Sequence, residues 1–185
     1  MHKRTKVIAV FGSAQAEQGS LAYEEARQIG ALLAQEGFTV CSGGYGGVME
    51  AVSWGARENN GFVIGVTTDL FGNRPANPWL NQEVRKATLL ERLQTMVEMS
   101  QAYLALKGGI GTLTEVSVVW SLIQTRSIPP KPFVLLSDPW QGLLDFCTTS
   151  LIIRQPDFKY LQLASTPAEV VQILVQALRT GVSKV

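Results

Sequence analysis

Short apolar runs that stop at glycine or another small residue alternate along this chain with longer stretches of helical periodicity. That alternation limits the fold more than any other feature. Residues 6–12 (Lys-Val-Ile-Ala-Val-Phe-Gly) are too short and too β-branched for a helix and read as a buried strand. Residues 20–35 then place Leu21, Ala22, Ala26, Ile29, Leu32 and Leu33 at helical spacing, and Gly37 ends the pattern. The same reading gives strands over 38–41, 62–66, 102–106, 132–136 and 160–163, and helices over 48–58, 89–99, 112–124, 139–153 and 167–178. A long connection over 67–86 holds Pro75 and Pro78, and loops of that length inside a compact domain are usually functional or mobile. Strand–helix alternation of this kind predicts an α/β fold, a parallel sheet with helices on both faces. No linker, repeat or low-complexity stretch divides residues 1–185, so one domain is expected.

Composition narrows the chemistry by exclusion. Charged residues make up 17% of the chain, against about 25% in a typical soluble domain. With 46% hydrophobic residues this is no disordered chain, and a net charge of +1 gives no electrostatic case for nucleic acid or an anionic membrane. The shortage of charge suggests a surface partly covered by something else. The single histidine, His2, stands in a terminal segment, which removes Ser-His-Asp triads, Cys-His dyads and His-ligated zinc. Cys41 and Cys147 lie far apart in apolar settings, without a CxxC. The basic start runs into an apolar stretch of only residues 7–11, shorter than a signal peptide needs, and a cytoplasmic protein is expected.

Of 17 glycines, Gly43, Gly44, Gly46 and Gly47 form one cluster and Gly108, Gly109 and Gly111 another. Each follows an expected strand and precedes an expected helix, which is the carboxyl edge where open parallel sheets bind ligands. Residues without Cβ let backbone N–H groups approach an anion, and the helix behind them adds a partial positive charge. Gly12-Ser13 offers a third small turn on the same edge, so a phosphate-bearing ligand leads. There is no GxxxxGK[ST], neither cluster completes GxGxxG, and the second strand ends without the acid that grips an NAD ribose.

Two charged residues stand near these turns. Thr112-Leu-Thr-Glu115 has the spacing of a capping box, and Thr166-Pro-Ala-Glu169 repeats it at the last helix with no glycine loop. Glu169 is therefore read as a cap only, whereas Glu115 opens a helix at the expected ligand edge. Spacing alone reads Arg92 as a solvated arginine paired with Glu91 or Glu98.

The combination Val10-Phe-Gly-Ser13, Gly43-Gly-Tyr-Gly-Gly-Val-Met-Glu50, Arg92 and Gly108-Gly-Ile-Gly-Thr-Leu-Thr-Glu115 resembles the Lonely Guy (LOG) family, whose members often carry a lysine-decarboxylase label. The resemblance runs from Val7 to about Leu178. It implies a Rossmann-like doubly wound parallel sheet, a homodimer or higher assembly, and hydrolysis of the N-glycosidic bond of nucleoside 5'-monophosphates such as AMP. It assigns Arg92 and Glu115 as the catalytic pair. Gly108, Gly109, Gly111 and Thr112 become the phosphate loop, Gly12 and Ser13 the first-strand loop, and Gly43, Gly44 and Met49 the second loop beside the nucleotide. Glycoside-type chemistry through a carboxylate needs no histidine, metal or other cofactor. The chain departs from the family motif at Lys107, where proline is usual, and at Leu93, where cytokinin-producing members have lysine. It also lacks the histidine usual just before the arginine. These departures bear on base preference more than on nucleotide binding. A non-catalytic carrier of a nucleotide or of molybdenum cofactor on the same scaffold is the alternative. The helices over 89–99 and 112–124 read as apolar around too much of their circumference for one buried face, which points to self-association through them.

Overall fold

A computed structural model describes residues 6–72 and 74–180; His2 and the rest of the basic start through Thr5 lie outside them. Seven strands form one sheet: β1 (Val7–Phe11), β2 (Thr39–Ser42), β3 (Val63–Thr68), β4 (Gln82–Lys86), β5 (Ala102–Ala105), β6 (Phe133–Leu136) and β7 (Gln162–Ala164). Their order is β4-β3-β2-β1-β5-β6-β7 and every pairing is parallel. The chain winds outward from β1 to one edge, returns to β5, and winds to the other edge. This is the Rossmann-like, doubly wound α/β fold, and its winding reverses between β1 and β5. Crevices open at that reversal, beyond the carboxyl ends of the strands.

Side chains of successive strand residues point to opposite faces, so each strand feeds two cores. Ile8 and Val10 pack with α1 (Leu21–Gln35), α2 (Val48–Glu58) and α6 (Pro167–Thr180). Ala9 and Phe11 pack on the other face with α3 (Leu89–Met99) and α4 (Ile110–Gln124). Trp140 of α5 (Ser137–Ser150) joins the second core and donates its indole N–H to Leu106 O. Among the described residues no helix is long and apolar enough to cross a membrane.

The structure departs from the expected elements at four places. The connection over 67–86 is not all loop: β3 continues to Thr68, a 3-10 turn covers Asp69–Phe71, and β4 pairs with β3 from Ile64↔Gln82 to Thr68↔Lys86. Strand β4 lacks an apolar run because it lies at the sheet edge with most side chains exposed, where charged residues guard against further pairing. Helix α4 starts at Ile110 rather than 112, with Gly109 as its N-cap. Helix α5 ends at Ser150 rather than 153, and β7 follows a 3-10 turn over Gln155–Tyr160. Finally, α3 is not apolar all round: Glu91, Gln94 and Glu98 form an exposed polar face, and only Leu89 and Leu90 stand out as exposed apolar residues. Only α4 fits the expectation of an apolar circumference.

Candidate active site

A cavity of about 450 Å³ opens at the carboxyl edge of the sheet, within the range of small-molecule sites. Its floor is laid by the turn after β1. Ser13 N–H donates to Lys107 O at 3.0 Å, and Ser13 O accepts from Val48 N–H at 2.8 Å. This turn therefore ties together both glycine turns at the winding reversal. On one side α4 presents its N-terminus: Gly109 offers no side-chain cap, so the N–H groups of Ile110, Gly111 and Thr112 have no acceptor within the helix.

Arg92 and Glu115 meet inside the cavity. Arg92 Nη1 donates to Glu115 Oε1 at 3.3 Å, and Arg92 Nε donates to Val66 O at 2.7 Å. Arg92 is only 5% exposed, which overturns its reading as a solvated arginine. Neither expected partner takes it. Glu91 closes a capping box with Thr88, and Glu98 accepts from Gln94 Nε2 at 2.7 Å. Glu115 is no capping residue either. It stands in the second turn of α4, because that helix starts at Ile110, and its carboxylate turns inward to Arg92. Burial pushes the Glu115 carboxyl up to about 7, while the charge and hydrogen bond of Arg92 pull it down. Glu169 does behave as a cap: its N–H donates to Thr166 Oγ1, and its carboxylate accepts from Ser165 N–H.

The structure gathers most of the residues singled out in the sequence. Gly12, Ser13, Met49, Arg92, Gly109, Gly111, Thr112 and Glu115 all line the cavity. Gly43, Gly44 and Gly108 stand behind the lining. Gly43 makes room for the arginine: a Cβ there would lie 1.7 Å from Arg92 Nη2 and 2.5 Å from Met49 Sδ. Gly44 backs onto Gly65 and Thr67, and Gly108 backs onto Thr112. Gly47 is required by its backbone, with φ +69° and a Cβ position 2.4 Å from Ser13 O.

Several lining residues were not singled out: Tyr45, Phe71, Arg74, Leu89 and Gln15. The signal for Phe71 and Arg74 was the length of the connection that carries them. For Tyr45 it was an aromatic inside a glycine cluster. That connection is held down from within. Asn77 N–H donates to Gly44 O at 2.8 Å, Asn77 Nδ2 donates to Tyr45 O at 3.1 Å, and the Trp79 ring stacks on Trp54 at 5.3 Å.

Comparison with known proteins points the same way as the geometry. Residues 5–128 match the model of the SLOG cluster4 family. The cytokinin riboside 5'-monophosphate phosphoribohydrolase of Mycobacterium marinum is 35% identical over 135 residues, covering 72% of this chain and 71% of that protein. The protein of the same name from Mycobacterium tuberculosis is 34% identical over 137 residues, with the same coverage. Among solved structures, the molybdenum cofactor binding protein of Rippkaea orientalis superposes with a TM-score of 0.77 at 25% identity, covering 95% of this chain and 98% of that one. The molybdenum cofactor carrier protein of Chlamydomonas reinhardtii shares the fold, with a TM-score of 0.75 at 22% identity over 95% of this chain and 99% of that one.

Proposed function

The chain belongs to the LOG family, matching its SLOG cluster4 model, and from that premise we propose that it hydrolyses the N-glycosidic bond of a nucleoside 5'-monophosphate, AMP-like, to free base and ribose 5-phosphate. The observation that carries this reading is a buried arginine–carboxylate pair inside a cavity rimmed by an uncapped helix N-terminus. The phosphate suits the N–H groups of residues 110–112. Glu115 lies three to five residues further along α4, roughly 4.5–7.5 Å at 1.5 Å rise per residue, and a phosphate seated beyond those N–H groups adds to that separation, which fits the distance from phosphate to the anomeric carbon.

In the reaction the C1'–N9 bond breaks and its electron pair leaves with the base, while a water oxygen bonds to C1'. The Glu115 carboxylate stabilises the oxocarbenium character of the ribose and takes the proton of the attacking water. That proton then passes to the departing base, so nucleotide plus water gives base plus ribose 5-phosphate. Arg92, pinned to Val66 O, holds the carboxylate in place and favours its charged form. A carboxyl near 7 is poised for base catalysis at neutral pH. Incubation with AMP, GMP and IMP, followed by chromatography for free base, tests the reading. The wild type should release base and Glu115→Gln should release it at least about a hundredfold more slowly.

A second reading is favoured by the Rippkaea orientalis likeness and by Lys107, which adds an exposed charge beside the phosphate turn. On it the chain carries a nucleotide or a phosphate-bearing cofactor such as molybdenum cofactor, without turnover. Tight binding of several monophosphates with no base released would select the carrier. In either case the chain acts as a homodimer or larger homo-oligomer.

A further inference from the structure

The far wall of the cavity carries a fixed aromatic platform and a guanidinium with no carboxylate partner. Tyr45 is buried, and its hydroxyl is held twice by Thr68: it donates to Thr68 O at 3.0 Å and accepts from Thr68 N–H at 2.9 Å. Phe71 meets the Tyr45 ring edge-on, with centroids 5.4 Å apart. The Arg74 guanidinium lies over the same ring at 5.6 Å. Arg27, Arg85, Arg92, Arg154 and Arg179 each pair with a carboxylate; among the described residues Arg57, Arg74 and Arg126 have none within 4.0 Å, and of these three Arg74 lines the cavity. Among the described residues the sole carboxylate lining the cavity is Glu115, already held by Arg92.

Sheet order sets the distance between this wall and the phosphate end. Phe71 and Arg74 follow β3, while residues 108–112 follow β5. In the sheet β3 and β5 are three strand spacings apart, on the order of 14 Å. Arg92, which bonds the end of β3, and Glu115 stand between the two ends. A purine nucleotide with its phosphate on α4 and its anomeric carbon at Glu115 therefore directs its base toward Tyr45, Phe71 and Arg74.

We infer that Arg74, on the platform of Tyr45 and Phe71, reads the leaving base, and that the site takes 6-oxopurine nucleoside 5'-monophosphates (IMP, GMP) ahead of AMP. The inference rests on the nucleotide reading above. A planar guanidinium offers only donors, in a fork that matches the O6 and N7 acceptors of a 6-oxopurine. Adenine presents a donor at N6 to the same fork. The same two atoms share the electron pair that leaves with the base, so the contact strengthens as the C1'–N9 bond breaks. Gln15, another polar side chain of the lining, carries both a donor and an acceptor and does not discriminate.

The test compares kcat/KM for IMP and AMP in the wild type, Arg74→Ala and Arg74→Lys. The wild type should favour IMP by on the order of tenfold, the scale of one bidentate base contact. Arg74→Ala should lose several-fold more for IMP than for AMP, and Arg74→Lys, which keeps the charge but not the fork, should not restore the ratio. A wild type that prefers AMP would overturn the assignment, and so would variants that lose equally with both nucleotides, which would make Arg74 a contact that does not read the base. If no variant releases base, the hydrolytic reading fails, and Kd values for IMP and AMP decide the selectivity by the same ratios. Arg74 is exposed and outside both cores, so its variants keep the fold.

Discussion

At the scale of single residues, Glu115 gives pH dependences of opposite sign for stability and turnover. Its carboxyl is raised from 4.5 to about 7, burial outweighing Arg92. Between those values the folded chain holds a proton that the unfolded chain has released, so stability falls as pH rises through that window and levels off above it. Glu115→Gln should remove this slope from melting temperatures recorded between pH 4.5 and 8. Turnover needs the ionised form, so kcat/KM should climb about tenfold per pH unit below 7 and flatten above. The same substitution should cost about 10²–10⁴ in kcat. Arg92→Met would leave the carboxyl buried without its cation, and the acid limb of the profile should move to higher pH, which a purely structural role would not produce. Gly43→Ala probes the pair from behind. Its new methyl displaces the ends of two flexible side chains, Arg92 and Met49, rather than backbone. Activity should fall by roughly 10²-fold for an ångström-scale shift, with a much smaller loss of melting temperature.

At the scale of elements, the polar connection around β4 is as important to the cavity as the apolar strands. Asn77 is buried, bonds Tyr45 O through Nδ2 and accepts from Trp79 N–H through Oδ1. Asn77→Ala would leave these two backbone groups without partners, at about 1–3 kcal/mol. Urea unfolding should show that loss, and KM should rise as the Tyr45 turn loosens. The five inner strands were legible because each is an apolar run buried on both faces. Strand β4 was not, because an edge strand needs only backbone partners and carries charge outward. The T-x-x-E pattern shows a second limit. It occurs at Thr88, Thr95, Thr112 and Thr166; it is a full capping box at the first, lies inside α3 at the second and is a cap at the last. At Thr112 it is neither, because the N-cap of α4 is Gly109, three residues earlier, and that shift turns Glu115 inward. The glycine turns were readable from their place after strands. The Arg92–Glu115 contact, between residues on different helices, was not readable from spacing.

For the molecule as a whole, the shortage of charge is not spread evenly. Helices α1, α2, α3 and α6 each expose charged side chains. In contrast α4 has no charged residue between Lys107 and Arg126 except Glu115, which faces the cavity. Its outer face is Ile110, 80% exposed, followed by Thr114, Ser117 and Ser121. Beside that face run Phe146, Leu151 and Ile152, all exposed, across a groove floored by Trp120 and Cys147. Small residues on a helix flanked by large apolar ones suit close approach of another helix, and apolar patches that extend this far are uncommon on monomers. A second copy of the chain seated on this face would make a self-complementary, twofold contact. Because Ile110 and Thr114 also line the cavity, such a contact would adjoin its mouth. Sedimentation equilibrium should return at least twice the 20.2 kDa of one chain, and Ser117→Arg, which places a charge in the centre of the face, should return a single chain with its helical circular dichroism intact. A wild type that sediments at 20.2 kDa would mean that the uncharged face of α4 stays in water.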